Sequence, residues 1–219
     1  MTDRKGHRLS TTAPPTPRWA DLREIGTVVH DRIRVLQEGV RANRSAEVAA
    51  LARLRRGVGK PAGSVNDILQ YTLAPEFVDR SAGDDPTAAE KAAHISLTLY
   101  ALHQQSLGDR MHQRGWGMGR AVRVLHPEEP GTPPNPVLRR FQALGTSDSL
   151  DELVHHARGM VHLLRGKSVS LDYGLLADEL VAWQRPGGAS VVRLRWGRDF
   201  YRTPTALDTD TDSAPDDSH

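Results

Sequence analysis

Apolar residues recur every three or four positions along most of the chain, which is the pattern of amphipathic α-helices. One such stripe runs from Leu22 to Val40, and a second follows over residues 46–56 until the Gly-rich segment 57–61 ends it. After a shorter apolar segment and a loop, Asp85 as N-cap and Pro86 at the first helical position predict another helix. That helix is Ala-rich and is expected to extend from Thr87 to about Leu107.

The downstream half repeats this helical pattern. We expect a short helix at residues 120–125, a helix from Asn135 through Leu144, and a longer one opened by a capping box at Ser149–Glu152. A further helix is predicted over residues 172–183. The last segment is ambiguous, because residues 192–196 alternate like a strand while Val192, Trp196 and Phe200 also fit a helical row. Since a lone strand has nothing to pair with, we predict a helix.

These elements predict an all-α fold of two packed helical bundles. Four prolines between His126 and Pro136 cannot lie inside a helix, so a linker is placed at residues 127–134. It divides a larger N-terminal bundle, residues 18–126, from a smaller C-terminal one, residues 135–202. The Pro/Thr-rich residues 1–17 and the acidic tail 203–219 have little to bury and are predicted to be disordered.

The amino-acid composition excludes several classes of protein. The 219 residues contain no cysteine, which excludes a disulfide framework, a thiolate zinc site and a cysteine nucleophile. No apolar run approaches the 18 residues typical of a membrane-spanning helix, and the charged N-terminus is not followed by the apolar core of a signal peptide. We therefore expect a soluble, cytoplasmic protein that does not enter a membrane.

The small net charge of +2 hides a basic body, because residues 203–219 contain five aspartates and no lysine or arginine. Of the 29 basic residues, 25 are arginine, which suits bidentate contacts with phosphate. The arginines form clusters near residues 53–56, 110–123, 139–140 and 193–202. This clustering indicates a polyanionic partner.

No catalytic or metal-binding motif is complete. Glu152 and His155 have the Glu-x-x-His spacing of di-iron bundles, but no second copy exists. The Gly57–Lys60 segment lacks the spacing of a phosphate-binding loop, and none of the serines lies in a nucleophile elbow. We therefore predict a binding protein with no catalytic residue, no metal, no cofactor and no small-molecule substrate.

The polyanion is expected to be a nucleic acid held through its phosphates. The 11 aromatic residues lie mostly at apolar helix positions, so base stacking is a poorer fit than sequence-blind backbone contact. A helix-turn-helix regulator is the alternative, with residues 172–183 and 191–202 as its two helices. Its turn, Pro186–Gly188, is unsuited to tight packing, and its second helix offers arginines but no Asn, Gln, Ser or Thr to read base edges.

Five segments in order make the sequence recognisable, although each is weak alone. They are Leu54–Gly57, Ala93–Gln104, Gly117–Val122, Pro136–Leu144 and Leu171–Tyr201. In this order and spacing they resemble the CasB family, the small subunit of the type I-E CRISPR interference complex Cascade, over residues 19–202. The resemblance implies an all-helical, non-enzymatic subunit that pairs with a second copy and contacts other Cascade subunits, the crRNA, the target DNA and the displaced strand. Its role would be to stabilise the R-loop.

The resemblance also implies which residues contact nucleic acid. The role falls on Arg120 of the Gly-x-Gly-Arg-Ala motif and on Arg139 and Arg140 of the Leu-Arg-Arg-Phe motif. Four more residues join them on charge and proximity: Arg55, Arg56, Arg114 and Arg123. Another three, Arg195, Arg198 and Arg202, are expected to face a partner subunit or an internal acid such as Asp199.

Overall fold

A computed structural model of the chain describes residues 21–78, 83–126 and 136–202. Within these ranges the secondary structure is helical apart from one isolated parallel bridge, between His112 and Leu171. The helices are α1 (Glu24–Arg41), α2 (Ser45–Arg55), α3 (Leu69–Thr72), α4 (Ala88–His103), α5 (Met118–Leu125), α6 (Pro136–Thr146), α7 (Leu150–Gly166), α8 (Tyr173–Trp183) and α9 (Gly188–Tyr201). Two short 3-10 turns flank α3, at Asn66–Ile68 and Pro75–Phe77. The predicted all-α class is confirmed.

The apolar stripes are the buried faces of these helices. In α1, Val29, Ile33 and Leu36 are buried at helical spacing. In α9, Val192, Trp196 and Phe200 are buried together, so the prediction of a helix for this ambiguous segment is correct. The strand-like alternation of residues 192–196 arises because exposed and half-buried arginines lie between the buried Val192, Trp196 and Phe200.

The start of α4 corrects the predicted cap. The N-cap is Thr87, not Asp85: its hydroxyl accepts the Glu90 N–H at 3.0 Å, and the Glu90 carboxylate accepts the Thr87 N–H at 2.7 Å. This complete capping box satisfies two N–H groups that Asp85 does not. The same helix ends at His103 rather than near Leu107, because the Gln104 side chain donates to the carbonyls of Leu107 and Asp109 and closes a turn.

The capping box predicted at the start of α7 is only half formed. The Ser149 hydroxyl accepts the Glu152 N–H at 3.2 Å. The Glu152 carboxylate, however, accepts the N–H of Asp148 at 2.8 Å, one residue before the N-cap. The helix therefore begins where the sequence indicates, but the Glu152 carboxylate accepts a hydrogen bond from Asp148 instead of from the N-cap residue.

The core is organised around α8, which packs against α1, α4 and α9. Every residue of α8 from Tyr173 to Leu180 is buried. Buried apolar side chains from both predicted bundles belong to one contiguous cluster, from Val29 in α1 to Phe200 in α9. The division into two bundles remains a prediction, and its linker, residues 127–134, lies outside the described residues. So do the two predicted disordered ends, residues 1–17 and 203–219.

Candidate nucleic-acid interface

Two glycines allow α5 to lie directly against α9. A Cβ atom on Gly119 would lie 2.1 Å from the backbone oxygen of Trp196, and one on Gly117 would lie 2.9 Å from the Asp199 carboxylate. No side chain larger than hydrogen fits at Gly119 without moving α5. The Gly-x-Gly part of the motif therefore sets the position of the arginine that follows it.

The carboxylate of Asp199 in α9 holds the first turn of α5. Its Oδ2 accepts the backbone N–H of Arg120 at 2.9 Å, at the end of the helix where the dipole favours an anion. Burial raises the pKa of the Asp199 carboxyl above its ordinary value, while the hydrogen bond from Arg120 and the charges of Arg202 and Arg123 oppose that rise. The backbone of Arg120 is thus anchored by a residue 79 positions later.

A second buried carboxylate fixes the loop before α5. Asp172 is the N-cap of α8, where its Oδ1 accepts the N–H of Leu175 at 3.0 Å. Its Oδ2 accepts the N–H of Gly115 at 2.8 Å and lies 3.4 Å from Nε of Arg114. In turn, the Asp172 N–H donates to the carbonyl of Trp116 at 2.7 Å. The loop that carries Arg114 is therefore tied to the central helix of the core.

Three of the predicted arginines gather around α5, and we call Arg114, Arg120 and Arg123 the α5 cluster. The Arg120 guanidinium lies over the ring of Trp116, 4.4 Å from its centroid, in a cation–π contact. Trp116 is half-buried against the core. Arg123 is half-buried, and its Nη1 has no hydrogen-bond partner among the described residues.

The α6 pair, Arg139 and Arg140, lies on a neighbouring helix. Helix α6 packs on α7 and α5, and Phe141 stacks on Phe200 of α9 with ring centroids 5.2 Å apart. Both arginines are exposed, and no carboxylate of the described ranges forms an ion pair with them.

The remaining two predicted residues lie elsewhere. Arg55 and Arg56 are at the C-terminal end of α2, which packs on α1 and α4 rather than beside α5. Arg56 forms an ion pair with Asp67, so part of its charge is met locally. The structure does not join these two arginines to the α5 cluster.

A basic residue that sequence reasoning missed lies beside the α2 end. The Nη1 of Arg158 in α7 is 3.8 Å from the Cβ position of Gly59, in the loop that follows Arg55 and Arg56. On the same helix, burial together with Arg158 and Arg165 lowers the pKa of His162. The spacing of these basic residues on α7 was a usable signal, but their nearness to residue 59 depends on tertiary packing.

The arginines of α9 are used partly inside the molecule. Arg195 lies 3.8 Å from the buried Glu179 carboxylate, which also accepts the Trp196 indole N–H at 2.7 Å. Arg193 covers the Trp183 ring at 4.9 Å. The internal acid beside Arg195 is therefore Glu179, whereas Asp199 lies near Arg202.

The histidines are distributed through the core and over the surface. His103 and His112 are buried, where they bond to Tyr173 and His30 respectively. Among the residues that the structure describes, no group of three or more histidine and carboxylate side chains could hold a metal ion. In the same ranges, no helix is both long and apolar enough to cross a membrane.

The fold and this surface define a class: an all-helical protein that presents arginines from α5 and α6 beside a shared core. The family model described as CRISPR-associated protein Cse2 matches residues 50–201. The crystal structure of CasB from Thermobifida fusca is 43% identical, with a TM-score of 0.71, and the match covers 83% of this chain and 100% of that one. A CRISPR-associated protein of the Cse2 family from Thermus thermophilus is 27% identical, with a TM-score of 0.58, over 80% of this chain and 97% of that one. A search of curated proteins finds no match.

The chain belongs to the Cse2 family of CRISPR-associated proteins, to which CasB also belongs. It is accordingly a CRISPR Cascade subunit, a structural member of a CRISPR effector complex. The resemblance found in the sequence is confirmed.

Proposed function

We propose that this chain is the non-catalytic small subunit of a type I-E Cascade complex in antiviral defence. It binds the phosphate backbones of crRNA, target DNA and the displaced strand without reading sequence, and so stabilises the R-loop. Within the complex it pairs with a second copy and contacts the backbone and large subunits. A cytoplasmic location follows from that role. The family assignment favours it over a helix-turn-helix regulator.

The observation that carries the proposal is the construction of the α5 cluster. Two buried carboxylates, Asp172 and Asp199, hold the backbone around residues 115–120. The guanidinium of Arg120 lies over Trp116, which reduces its freedom before any ligand binds. A rigid arginine on a short helix suits contact with a regular phosphate backbone.

The energetic demand on such a subunit is small. An RNA–DNA hybrid is about as stable as the DNA duplex that it replaces. A few phosphate contacts are therefore enough to shift the equilibrium towards the R-loop. Contacts of this kind carry no sequence information, and sequence is left to base pairing. Arginines on two adjacent helices, α5 and α6, meet this demand.

The test is a salt titration of binding to a random single strand, a random duplex and an RNA–DNA hybrid. The variants are Arg120→Ala and the double change Arg139→Ala/Arg140→Ala. The matched control is Arg34→Ala/Arg44→Ala, which removes two exposed charges paired with Glu38 and Glu47 at the α1–α2 end. We expect the slope of log K against log salt to flatten by roughly 0.7–0.9 for every phosphate that a variant no longer neutralises.

The control variant should keep the parent slope, and reconstituted Cascade should show the same order of effects on R-loop lifetime. Equal losses of binding in the control and the site variants would mean that the net charge, and not the position of the arginines, determines binding. Unchanged binding and R-loop lifetime in the site variants would remove these arginines from the interface.

A further inference from the structure

Two stretches of the chain, residues 48–66 and residues 153–171, contain basic residues but no aspartate or glutamate. The first forms most of α2 and the turn after it, and the second forms most of α7. The acids of these two helices lie in their first turns and are Glu47, Asp151 and Glu152. The arginines and lysines of the two stretches are Arg53, Arg55, Arg56, Lys60, Arg158, Arg165 and Lys167.

The fold places the two stretches side by side at Gly59. Residues 56–59 form a turn in which the Val58 N–H donates to the Arg55 carbonyl at 3.3 Å. Gly59 has a φ of +72°, in the left-handed region that favours glycine. The Nη1 of Arg158 in α7 is 3.8 Å from the Cβ position of Gly59. The guanidinium of Arg158 therefore lies beside the turn that joins Arg55 to Lys60.

Three of these cations have no carboxylate partner in the part of the chain that the structure describes. No ion pair there includes Arg55, Lys60 or Arg158. Lys60 and Arg158 are exposed, and Arg55 is half-buried. Arg56, next to them, differs because it pairs with Asp67. The two stretches thus bring together positive charges that the described residues do not neutralise.

The environment of His162 on α7 is also positive. His162 lies one turn after Arg158 on the same helix. Partial burial lowers the pKa of His162, and the charges of Arg158 and Arg165 lower it further. A bound anion would oppose that effect, so His162 can report on what binds here. We call Arg55, Lys60, Arg158 and His162 the α2–α7 surface.

The chemistry of the α2–α7 surface favours a phosphate backbone over a protein partner. Of the large apolar side chains that the described residues expose, none lies in residues 55–60 or on α7. The centre of a protein interface is depleted of charged residues and enriched in aromatic ones. Phosphate backbones, in contrast, are contacted mainly by arginine, lysine and polar groups.

We propose that the α2–α7 surface binds a nucleic-acid phosphate backbone and is a second binding surface, on different helices from the arginines of α5 and α6. The inference rests on the proposed nucleic-acid role of the chain, but on none of the α5 or α6 arginines. Helix α2 packs on α1 and α4, whereas α5 packs on α9, α7 and α6. One chain therefore contacts two stretches of backbone. Exposed contacts are individually weak, so the second surface adds affinity without adding sequence preference.

The test follows each surface with its own reporter. Nuclear magnetic resonance of the full chain, labelled at histidine and tryptophan, resolves the His162 ring and the Trp116 indole that lies beneath Arg120. The variant His162→Gln assigns the histidine signal. The probe is a random single strand of about six nucleotides, which is within the size of one single-strand site. We expect it to shift both signals at low salt and to raise the pKa of His162.

The variant Arg55→Gln/Arg158→Gln removes two charges from the α2–α7 surface. Its matched control is Arg34→Gln/Arg44→Gln, which removes two exposed charges from α1 and from the opposite end of α2. We expect the first variant to lose the His162 response and to keep the tryptophan response, while the control keeps both. For a longer random single strand, the slope of log K against log salt should flatten by about 1.4 in the first variant, at about 0.7 for each phosphate. Circular dichroism and thermal unfolding check that both variants are folded.

The outcomes separate this inference from the proposed function. If Trp116 responds but His162 does not, or if the His162 response survives in Arg55→Gln/Arg158→Gln, the second surface is wrong and the proposed function stands. If His162 responds and Trp116 does not, the proposed role of α5 fails while the α2–α7 surface stands. A polyglutamate peptide with the same number of charges is the last probe. A His162 shift as large as that caused by the oligonucleotide would assign the surface to an acidic protein, against our proposal.

Discussion

At the scale of single residues, glycines and buried carboxylates fix the positions of the α5 arginines. Gly119 touches the backbone of α9, and Asp199 and Asp172 hold the backbone on either side of Trp116. The position of the α5 cluster is thus determined by residues other than its arginines. Such residues are detectable by stability as well as by binding.

Replacement of Gly119 by Ala tests this contact. The new Cβ would lie 2.1 Å from the Trp196 carbonyl oxygen, so α5 must move, and we expect a loss of about 3 kcal/mol of unfolding free energy. The measurement is urea unfolding followed by circular dichroism. Gly159→Ala in α7 is the control: nothing lies within 4 Å of its Cβ position, so a gain of about 0.5–1 kcal/mol is expected. Equal effects at both positions would contradict the close approach.

The buried His112 predicts a dependence of stability on pH. The Tyr173 N–H donates to His112 Nδ1 at 3.1 Å, and this nitrogen also lies 3.3 Å from the Leu171 carbonyl oxygen. His112 Nε2 lies 2.7 Å from Nδ1 of the half-buried His30. Burial lowers the pKa of His112 from 6.5 to about 4. The unfolded chain then binds more protons between these values, so the stability present above pH 6.5 is lost as the pH falls towards 4.

The variant His112→Gln isolates this contribution. The difference in unfolding free energy between parent and variant should shrink by about 2 kcal/mol from about pH 7.5 to about pH 5, since roughly 1.4 kcal/mol corresponds to one pKa unit. A constant difference would place the proton uptake of His112 outside this pH range.

At the scale of helices, side-chain caps mark the starts of α4, α7 and α8. The capping box of Thr87 and Glu90 opens α4, and the Thr87 hydroxyl also donates to the Phe77 carbonyl at 2.9 Å. The sequence signal for this box was present as Thr-x-x-Glu. The adjacent Asp-Pro pair, Asp85–Pro86, is an equally good start signal, and local rules do not rank the two. The hydroxyl contact with Phe77, ten residues earlier, is what distinguishes them.

The change Thr87→Ala should therefore destabilise the protein by about 1 kcal/mol or slightly more, the usual loss for a removed N-cap. Thr27→Ala is the matched control. Thr27 lies exposed within α1 and donates to the carbonyl of Arg23, so its replacement should change stability by less than about 0.5 kcal/mol. Chemical denaturation of both variants measures the difference. If Asp85→Ala cost more than Thr87→Ala, Asp85 would be the functional cap after all.

At the scale of the whole molecule, α8 joins what the sequence suggests are separate bundles. It is buried between α1 and α4 on one side and contacts α9 on the other. One hydrophobic cluster therefore includes both halves of the chain. Residues that share a core are expected to unfold together.

We therefore predict a single cooperative unfolding transition. Far-ultraviolet circular dichroism reports all helices, whereas the described tryptophans, Trp116, Trp183 and Trp196, all lie in or beside α5, α8 and α9. The two signals should give the same urea midpoint and the same slope. Two separated midpoints would favour independent bundles divided near residues 127–134.

The all-α class, the bounds of most helices and the family can be read from the amino-acid sequence. Each follows from local features: a 3.6-residue apolar period, side chains that cap helix ends, and motifs in a fixed order. The arginines are also apparent at that level, because charge and residue type need no fold to be known. Which of these clusters lie on one surface was not accessible. Arg120 and Arg123 lie on α5, which packs beside α6, whereas Arg55 and Arg56 lie at the end of α2, where the following loop approaches Arg158.

Which arginines share a surface depends on tertiary contacts, because each is positioned by residues far away along the chain. Asp199 holds Arg120 from 79 residues away, and Asp172 holds Gly115 from 57. Helix-local forces set the elements, and contacts across the fold set the site.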